Sequence, residues 1–272
     1  MKIGVCSSYV NWRSIADVGY DYIEGNMTEI ATATDEEFEE IRKTACTLPI
    51  KVETTNCFFP SDVILYSYKK DGSADIEGFK KKKEEIGEYA VRALSRVREL
   101  GVKISVIGSG SARAIPDSMA PAVAEEQFIE IIKLIGEIAS MYGVRLCLEP
   151  LRRAETDFIN TYAESFAFAK KLADKNIATM IDFYHQAENG EPLDTFVSAG
   201  KDLVHTHIAA PITRQAITES DLEYFTDIMK HLHNMGYTGR MSLEASIPSD
   251  FVTSIKATLP LMRKLSEVVS GK

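Results

Sequence analysis

Four short hydrophobic stretches in the second half of the chain each carry, near their ends, side chains that can bind a metal ion or transfer a proton. The stretches are residues 145–150, 177–185, 203–211 and 239–246, and the side chains are Glu149, Asp182 with His185, His205 with His207, and Glu244. A single acidic residue at the end of a strand usually forms a salt bridge or faces water. Four successive stretches built in this way instead predict a metal site.

The predicted ligand set comprises three carboxylates and one imidazole. Such a set suits a hard or borderline divalent ion, so we expect Mn²⁺, with Mg²⁺ or Co²⁺ as alternatives. No thiol belongs to the set, which argues against a structural zinc site. Because side chains alternate along a strand, His205 and His207 point to the same side, and spacing alone allows either one to be the ligand.

These stretches belong to an alternation of predicted strands and helices that runs through the whole chain. The first four predicted strands are residues 2–6, 20–24, 51–59 and 102–107, and the stretches above supply the other four. The predicted helices cover residues 13–18, a segment that opens at Thr34, residues 76–100, a segment that ends near residue 142, and residues 162–174, 193–199, 222–235 and 251–269.

Eight strands and eight helices in 272 residues predict an α/β fold, a single (β/α)8 TIM barrel domain over residues 1–272. In such a barrel the carboxyl ends of all strands surround one opening, where the predicted ligands would meet. An open, doubly wound parallel sheet is the structural alternative. Against it, the first turn after a strand, residues 6–9, has none of the glycines of a dinucleotide-binding fingerprint.

Composition limits the partners that the protein is expected to have. The 31 Lys and Arg residues against 40 Asp and Glu residues give a net charge of −9, which argues against a nucleic-acid partner. No apolar run approaches the roughly 20 residues that span a bilayer, so we expect no membrane partner. The four cysteines lack CxxC spacing and the first residues lack a signal-peptide pattern, which predicts buried, reduced thiols in a cytoplasmic protein.

As a set, these residues resemble the xylose-isomerase-like TIM barrels, and within them the sugar isomerase/epimerase branch that includes the D-tagatose and D-psicose 3-epimerases. In the ketose 3-epimerases, a Glu after strand five, an Asp in a D-x-x-H run, a His on strand seven and a Glu on strand eight bind one divalent metal ion. The resemblance therefore implies that the ligands are Glu149, Asp182, His207 and Glu244.

The resemblance also implies which residues meet the substrate. Glu155 lies six residues after Glu149, Arg214 follows His207 closely, and His185 ends the D-x-x-H run. In the epimerases, residues in these positions contact the sugar. The chain departs from the branch after His207, where Ile-Ala-Ala-Pro replaces the usual Gly-Glu, so the identity of the sugar stays open.

The implied function is a divalent-metal-dependent sugar isomerase or epimerase that acts on a ketose or a related hydroxyketone. Glu149 and Glu244 would serve as two acid/bases around a metal-stabilised enediolate. We also expect a homo-oligomer, either a dimer or a tetramer.

The same residues allow three other functions. A dehydratase or lyase could use the same site and the same enolisation to act on a keto-sugar or keto-inositol. An apurinic-site endonuclease on this barrel would need several histidines from earlier strands, and the chain has no His before position 185. The third is a non-catalytic metal-binding subunit.

Overall fold

Eight parallel strands close into a barrel in chain order, in a computed structural model that describes residues 1–196, 202–247 and 250–271. The strands are β1 (Lys2–Ser7), β2 (Tyr22–Asn26), β3 (Lys51–Asn56), β4 (Ile104–Ile107), β5 (Arg145–Leu148), β6 (Ile177–Asp182), β7 (Leu203–Ile208) and β8 (Arg240–Leu243). Strand β8 pairs with β1 through Lys2–Arg240 to Val5–Leu243. This closure confirms the predicted (β/α)8 barrel and excludes the doubly wound open sheet.

Helices connect the strands on the outside of the barrel. They are α1 (Trp12–Val18), α2 (Met27–Thr32), α3 (Asp35–Cys46), α4 (Ile76–Leu100), α5 (Gly110–Arg113), α6 (Pro121–Tyr142), α7 (Tyr162–Leu172), α8 (Phe183–Glu188), α9 (Leu222–Asn234) and α10 (Phe251–Val269). Thr34 and Glu37 form the predicted capping box at the start of α3. Gly101, with φ of 98°, ends α4 where the sequence predicted.

Three short helices were not predicted, and one predicted helix was wrong in its described part. The unpredicted helices α2, α5 and α8 each follow a strand almost directly, and four to six residues are too few to show a helical period. Residues 193–196 form turns instead of the start of the helix predicted at 193–199. The remainder of that prediction, residues 197–199, lies outside the described residues.

Two strands have bounds that differ from the prediction, β3 at its end and β2 at both ends. Strand β3 stops at Asn56 because the next residue, Cys57, has a φ of 51°, which is incompatible with extended backbone. Strand β2 begins at Tyr22 and ends at Asn26, two residues later at each end than predicted. Glu24 therefore lies in the middle of β2 and not at its end.

Two of the four cysteines are exposed. Cys147 is buried and Cys6 is partly buried, whereas Cys46 at the end of α3 and Cys57 at the barrel mouth are exposed. The prediction of four buried thiols is therefore wrong for Cys46 and Cys57, and none of the four cysteines forms a disulfide. In the part of the chain that the structure describes, none of the helices has the length and apolar character needed to cross a membrane.

Candidate active site

The predicted metal ligands meet at the carboxyl end of the barrel. Glu149 directly follows β5, Asp182 is the last residue of β6, and Glu244 directly follows β8. Donor atoms of these three residues and of His185 all lie within 4.8 Å of one another. The strand ends therefore bring together the three carboxylates that the sequence analysis selected, as well as an imidazole to which it gave a different role.

His207 contacts this carboxylate cluster from β7. Its Nδ1 atom lies 3.1 Å from Glu149 Oε1 and 3.4 Å from Glu244 Oε2. The Nε2 atom of His205 instead lies 2.7 Å from Glu24 Oε2. The structure thus places His207, and not His205, beside the carboxylates.

His185 occupies the same space as the carboxylates. Its Nε2 atom lies 3.6 Å from Asp182 Oδ2, and neither ring nitrogen has a hydrogen-bond partner among the described residues. Burial, followed by the charge of Arg214, lowers the pKa of His185 to about 4. At neutral pH the ring is therefore uncharged and presents a lone pair, so it can bind a substrate hydroxyl group or an ion.

The oxygen atoms of the cluster have the properties of a cation site. Asp182 Oδ1 caps α8 by accepting the Tyr184 N–H at 2.7 Å, whereas the buried Oδ2 atom has no hydrogen-bond partner in the described structure. A side chain at position 108 would collide with the Glu149 carboxylate, so Gly108 provides room for that group. Three carboxylates with an unpartnered oxygen fit the predicted divalent ion well.

The electrostatics of the cluster support the same conclusion. Burial raises the pKa values of Glu149 and Asp182, and the nearby charge of Glu244 raises both further. Burial also acts to raise the pKa of Glu244, but His207 and Arg214 outweigh this effect and leave that pKa below its usual value. A cation between the three groups would compensate their mutual repulsion.

The predicted substrate-binding residues lie on the rim above the carboxylates. Arg214 Nη1 donates to Glu155 Oε1 at 3.0 Å, and Arg214 Nη2 donates to Glu244 Oε2 at 3.2 Å. The Arg214 guanidinium also lies 5.1 Å from the centre of the Tyr184 ring. Arg214 therefore links the rim residue Glu155 to the deeper carboxylate Glu244.

Three polar residues that were not predicted from the sequence hold this cluster in place. Asn56 Nδ2 donates to Glu244 Oε1 at 2.6 Å, and Arg113 Nη2 donates to the main-chain carbonyl oxygen of Glu149 at 2.7 Å. Glu24 Oε1 accepts from His207 Nε2 at 2.9 Å. A carboxylate inside an apolar strand was a usable signal for Glu24, and Asn56 stands at a strand end. Arg113 had no comparable signal.

Comparisons with known proteins identify the family of the chain and several relatives. A family model described as xylose isomerase-like TIM barrel matches residues 12–265. The chain is 27% identical over 265 residues to D-psicose 3-epimerase of Agrobacterium fabrum, and the match covers 90% of this chain and 84% of that protein. It is 24% identical over 181 residues to ketose 3-epimerase of Arthrobacter globiformis, covering 65% of this chain and 61% of that protein. Both relatives are isomerase-class enzymes by name.

Solved structures share the fold at lower identity. A crystal structure of D-psicose 3-epimerase in the presence of D-fructose gives a TM-score of 0.74 at 23% identity, covering 100% of this chain and 97% of that chain. A crystal structure of the 3-keto-D-glucoside 4-epimerase of E. coli also gives a TM-score of 0.74. Its identity is 19%, and the match covers 98% of this chain and 99% of that chain. The family match over residues 12–265 establishes that the chain belongs to the xylose isomerase-like TIM barrel family.

Proposed function

We propose that this protein is a divalent-metal-dependent sugar epimerase or isomerase that acts on a ketose, with epimerisation at carbon three as its main reaction. The observation that supports this most strongly is the convergence of Glu149, Asp182, His207 and Glu244 at the barrel mouth. Relatives that are named D-psicose 3-epimerase and ketose 3-epimerase catalyse a reaction of this class by name, which also supports the proposal.

The ion would be held by Glu149, Asp182, His207 and Glu244, with Mn²⁺ as the expected metal and Mg²⁺ or Co²⁺ as alternatives. Once bound, it would act as a Lewis acid that polarises the carbonyl group of the sugar and makes the adjacent C–H more acidic.

Glu149 and Glu244 would move the proton. They follow β5 and β8, which are three strands apart in the barrel, so they can approach a bound sugar from different sides. Their pKa values are shifted in opposite directions, Glu149 upward and Glu244 downward. Two carboxyl groups separated in this way are typical of an acid and a base that work as a pair. One would remove the proton from carbon three, and the other would return a proton to the opposite face.

Three residues would orient the sugar. His185 presents an uncharged ring to the cluster, so it would hold a substrate oxygen next to the reacting carbon. Arg214 and Glu155, which are hydrogen-bonded to each other on the rim, would bind hydroxyl groups farther along the sugar chain.

Proton exchange in D₂O tests this proposal. Protein, Mn²⁺ and a panel of free and phosphorylated ketoses are incubated in D₂O, and the position of deuterium is read by NMR. We expect deuterium at carbon three together with the epimer, and no exchange after Mn²⁺ is removed with a chelator. Deuterium at carbon one would indicate aldose–ketose isomerisation instead, and an unsaturated product without labelled sugar would contradict both reactions.

The ligand assignment has its own matched pair of variants. His207→Asn should weaken Mn²⁺ binding strongly in a calorimetric titration, whereas His205→Asn should weaken it much less, because His205 contacts Glu24 and not the carboxylate cluster. The opposite ranking would show that the ligand on β7 is His205.

We further propose that residues 1–272 form one domain, that the protein acts in the cytoplasm, and that it assembles into a dimer or a tetramer. Pairing of β1 with β8 supports the first point, since it joins the two halves of the chain. Light scattering on the purified protein measures the number of subunits directly.

A further inference from the structure

Glu24 is a fully buried carboxylate that the proposed reaction does not use. It lies in the middle of β2, and its side chain is 0% exposed. An ionised carboxylate in such a position is strongly unfavourable unless several donors surround it. Four polar side chains meet that requirement: His205, His207, Thr54 and Ser242.

The two oxygen atoms of Glu24 have different partners. Oε2 accepts hydrogen bonds from His205 Nε2 at 2.7 Å, from Thr54 Oγ1 at 2.7 Å and from Ser242 Oγ at 2.5 Å. Because Ser242 uses its only proton in this bond, the hydroxyl group of Tyr22, 2.6 Å away, donates to Ser242. These contacts fix the orientation of the carboxylate. Of the four donors, only His207 contacts Oε1.

This geometry determines which nitrogen atom of His207 carries the proton. Oε1 of Glu24 can only accept, so the Nε2 atom of His207, 2.9 Å away, donates its N–H. In the neutral ring, Nδ1 then carries a lone pair, and Nδ1 is the atom that approaches Glu149 and Glu244. The opposite tautomer would place a proton where a metal ion has to bind.

We propose that Glu24 is a positioning residue of the metal centre, which fixes the ring and the tautomer of His207 and adds negative charge behind it without touching the ion. The inference rests on the proposed function, because it supposes that His207 binds a metal. Metal-binding histidines commonly donate their second N–H to a carboxylate, and loss of that partner typically weakens metal binding by about 10- to 100-fold.

A direct ligand role for Glu24 is the competing explanation. The thiol of Cys6 lies with Glu24 and His207 in a second group whose donor atoms are within 4.8 Å of one another. An ion held there by Glu24 would have to displace the N–H of His207 or one of the three donors on Oε2. The positioning role therefore predicts one bound ion per chain, and a direct role predicts two.

Calorimetric titration with Mn²⁺ and with Co²⁺ distinguishes these roles. Glu24→Gln keeps the size of the side chain and removes its charge, and we expect binding about 10- to 100-fold weaker than in the wild type, at one ion per chain. Thr54→Val removes one of the donors that fix the carboxylate and should produce a smaller loss. Tyr20→Phe is the control, because it removes a buried hydrogen bond to the carbonyl oxygen of Ile255 and should leave metal binding unchanged.

NMR of the Co²⁺-loaded wild type provides a readout that a purely structural role would not affect. The N–H of a cobalt-bound imidazole gives a strongly shifted resonance, and we expect one that exchanges slowly with solvent because Glu24 holds it in the buried interior. Glu24→Gln should move this resonance and accelerate its exchange, whereas Tyr20→Phe should not. Absence of this resonance in the wild type would overturn the positioning role even if Glu24→Gln fails to fold.

The outcomes separate the inference from the function on which it rests. If the wild type binds neither ion, the proposed function fails. If it binds one ion but Glu24→Gln binds it equally well, or if no exchangeable shifted proton is present, only the positioning role is overturned. Two ions per chain in the wild type, falling to one in Glu24→Gln, would identify Glu24 as a ligand and also overturn it.

Discussion

Acidic side chains have different partners at the two ends of the barrel. At the amino end, acidic groups are paired with basic ones: Glu53 accepts hydrogen bonds from Lys2 Nζ at 2.5 Å and from Arg240 Nε at 2.7 Å. Asp21 receives two 2.7 Å bonds from Arg263 and also accepts the Ile3 N–H at 2.8 Å. The Glu53 contacts join β3 to β1 and β8, and the Asp21 contacts join the residue before β2 to β1 and α10.

At the carboxyl end, the charges are not balanced by such pairs. Glu149 and Asp182 are buried next to each other and next to Glu244, and both of their pKa values are raised, first by burial and then by the charge of Glu244. Arg214 contacts one oxygen of Glu244, but Asp182 Oδ2 has no partner among the residues described. The comparison shows that acidic groups at the amino end are paired with basic ones, whereas buried carboxylates at the carboxyl end raise one another's pKa values, as expected for the proposed cation site.

Removal of an acid at the carboxyl end should have the largest effect on activity. Glu149→Gln should lower kcat by about 10²- to 10⁴-fold, because Gln can neither accept nor donate the substrate proton. Deuterium incorporation into the sugar and net epimer formation measure the loss, and circular dichroism should show an unchanged fold. A Gln variant that exchanges protons at the wild-type rate would contradict the role of Glu149.

Asp182→Asn should raise or lower the free energy of unfolding, depending on whether Mn²⁺ is present. With a chelator present, we expect the free energy of unfolding to rise by on the order of 1 kcal/mol, because one buried charge with a raised pKa is removed. Asn retains the acceptor that caps α8. With Mn²⁺ at about 100 times its Kd, the wild type should gain about 2.7 kcal/mol and become the more stable protein.

Urea denaturation of both proteins, with chelator and with Mn²⁺, measures this reversal. If Asp182→Asn is less stable under both conditions, the surplus of negative charge at the carboxyl end does not destabilise the metal-free protein.

An equivalent change at the amino end should have a moderate effect that does not depend on metal. Asp21→Asn should lower the free energy of unfolding by about 1 kcal/mol at pH 7, since the bidentate pair with Arg263 is lost at a site that is 29% exposed. Activity should be unchanged. An effect that varies with Mn²⁺ would show that the two ends are not independent.

The pH dependence of the same variant tests the direction in which the pKa of Asp21 is shifted. Burial acts to raise the pKa of Asp21, but the hydrogen bonds from Arg263 and Ile3 outweigh it and hold this pKa below its usual value. The contribution of Asp21 to the free energy of unfolding is therefore fully present above about pH 4, the pKa of this side chain in the unfolded protein. It is lost as the pH falls through the lower pKa that Asp21 has in the folded protein. The difference between wild type and Asp21→Asn in urea denaturation should shrink from pH 4 downward.

The smallest effect is expected at the edge of the amino end. Lys2→Ala should change the free energy of unfolding by less than about 0.5 kcal/mol, because the Lys2 side chain is 52% exposed and Glu53 keeps its bonds to Arg240. Urea denaturation at pH 7 measures it. A loss above 1 kcal/mol would mean that the pairs at this end act as a cooperative network.

The alternation of strands and helices was readable from the sequence, because hydrophobic period and capping residues act over a few positions. Helices α4 and α10 have the predicted bounds. The fold follows from that alternation, and so does the selection of Glu149, Asp182 and Glu244, since in a parallel barrel each strand end reaches the same opening. Short helices such as α8 were missed, because one and a half turns do not establish a period.

Tertiary structure alone decided how those strand ends are supported. Glu24 is separated from His205 by 181 residues and from His207 by 183 residues, and no local pattern connects β2 with β7. Spacing could not choose between the two histidines either, because both face the same side of β7. The choice depends on the closure of β8 onto β1, which brings β2 close enough for Glu24 to hold one histidine by each oxygen.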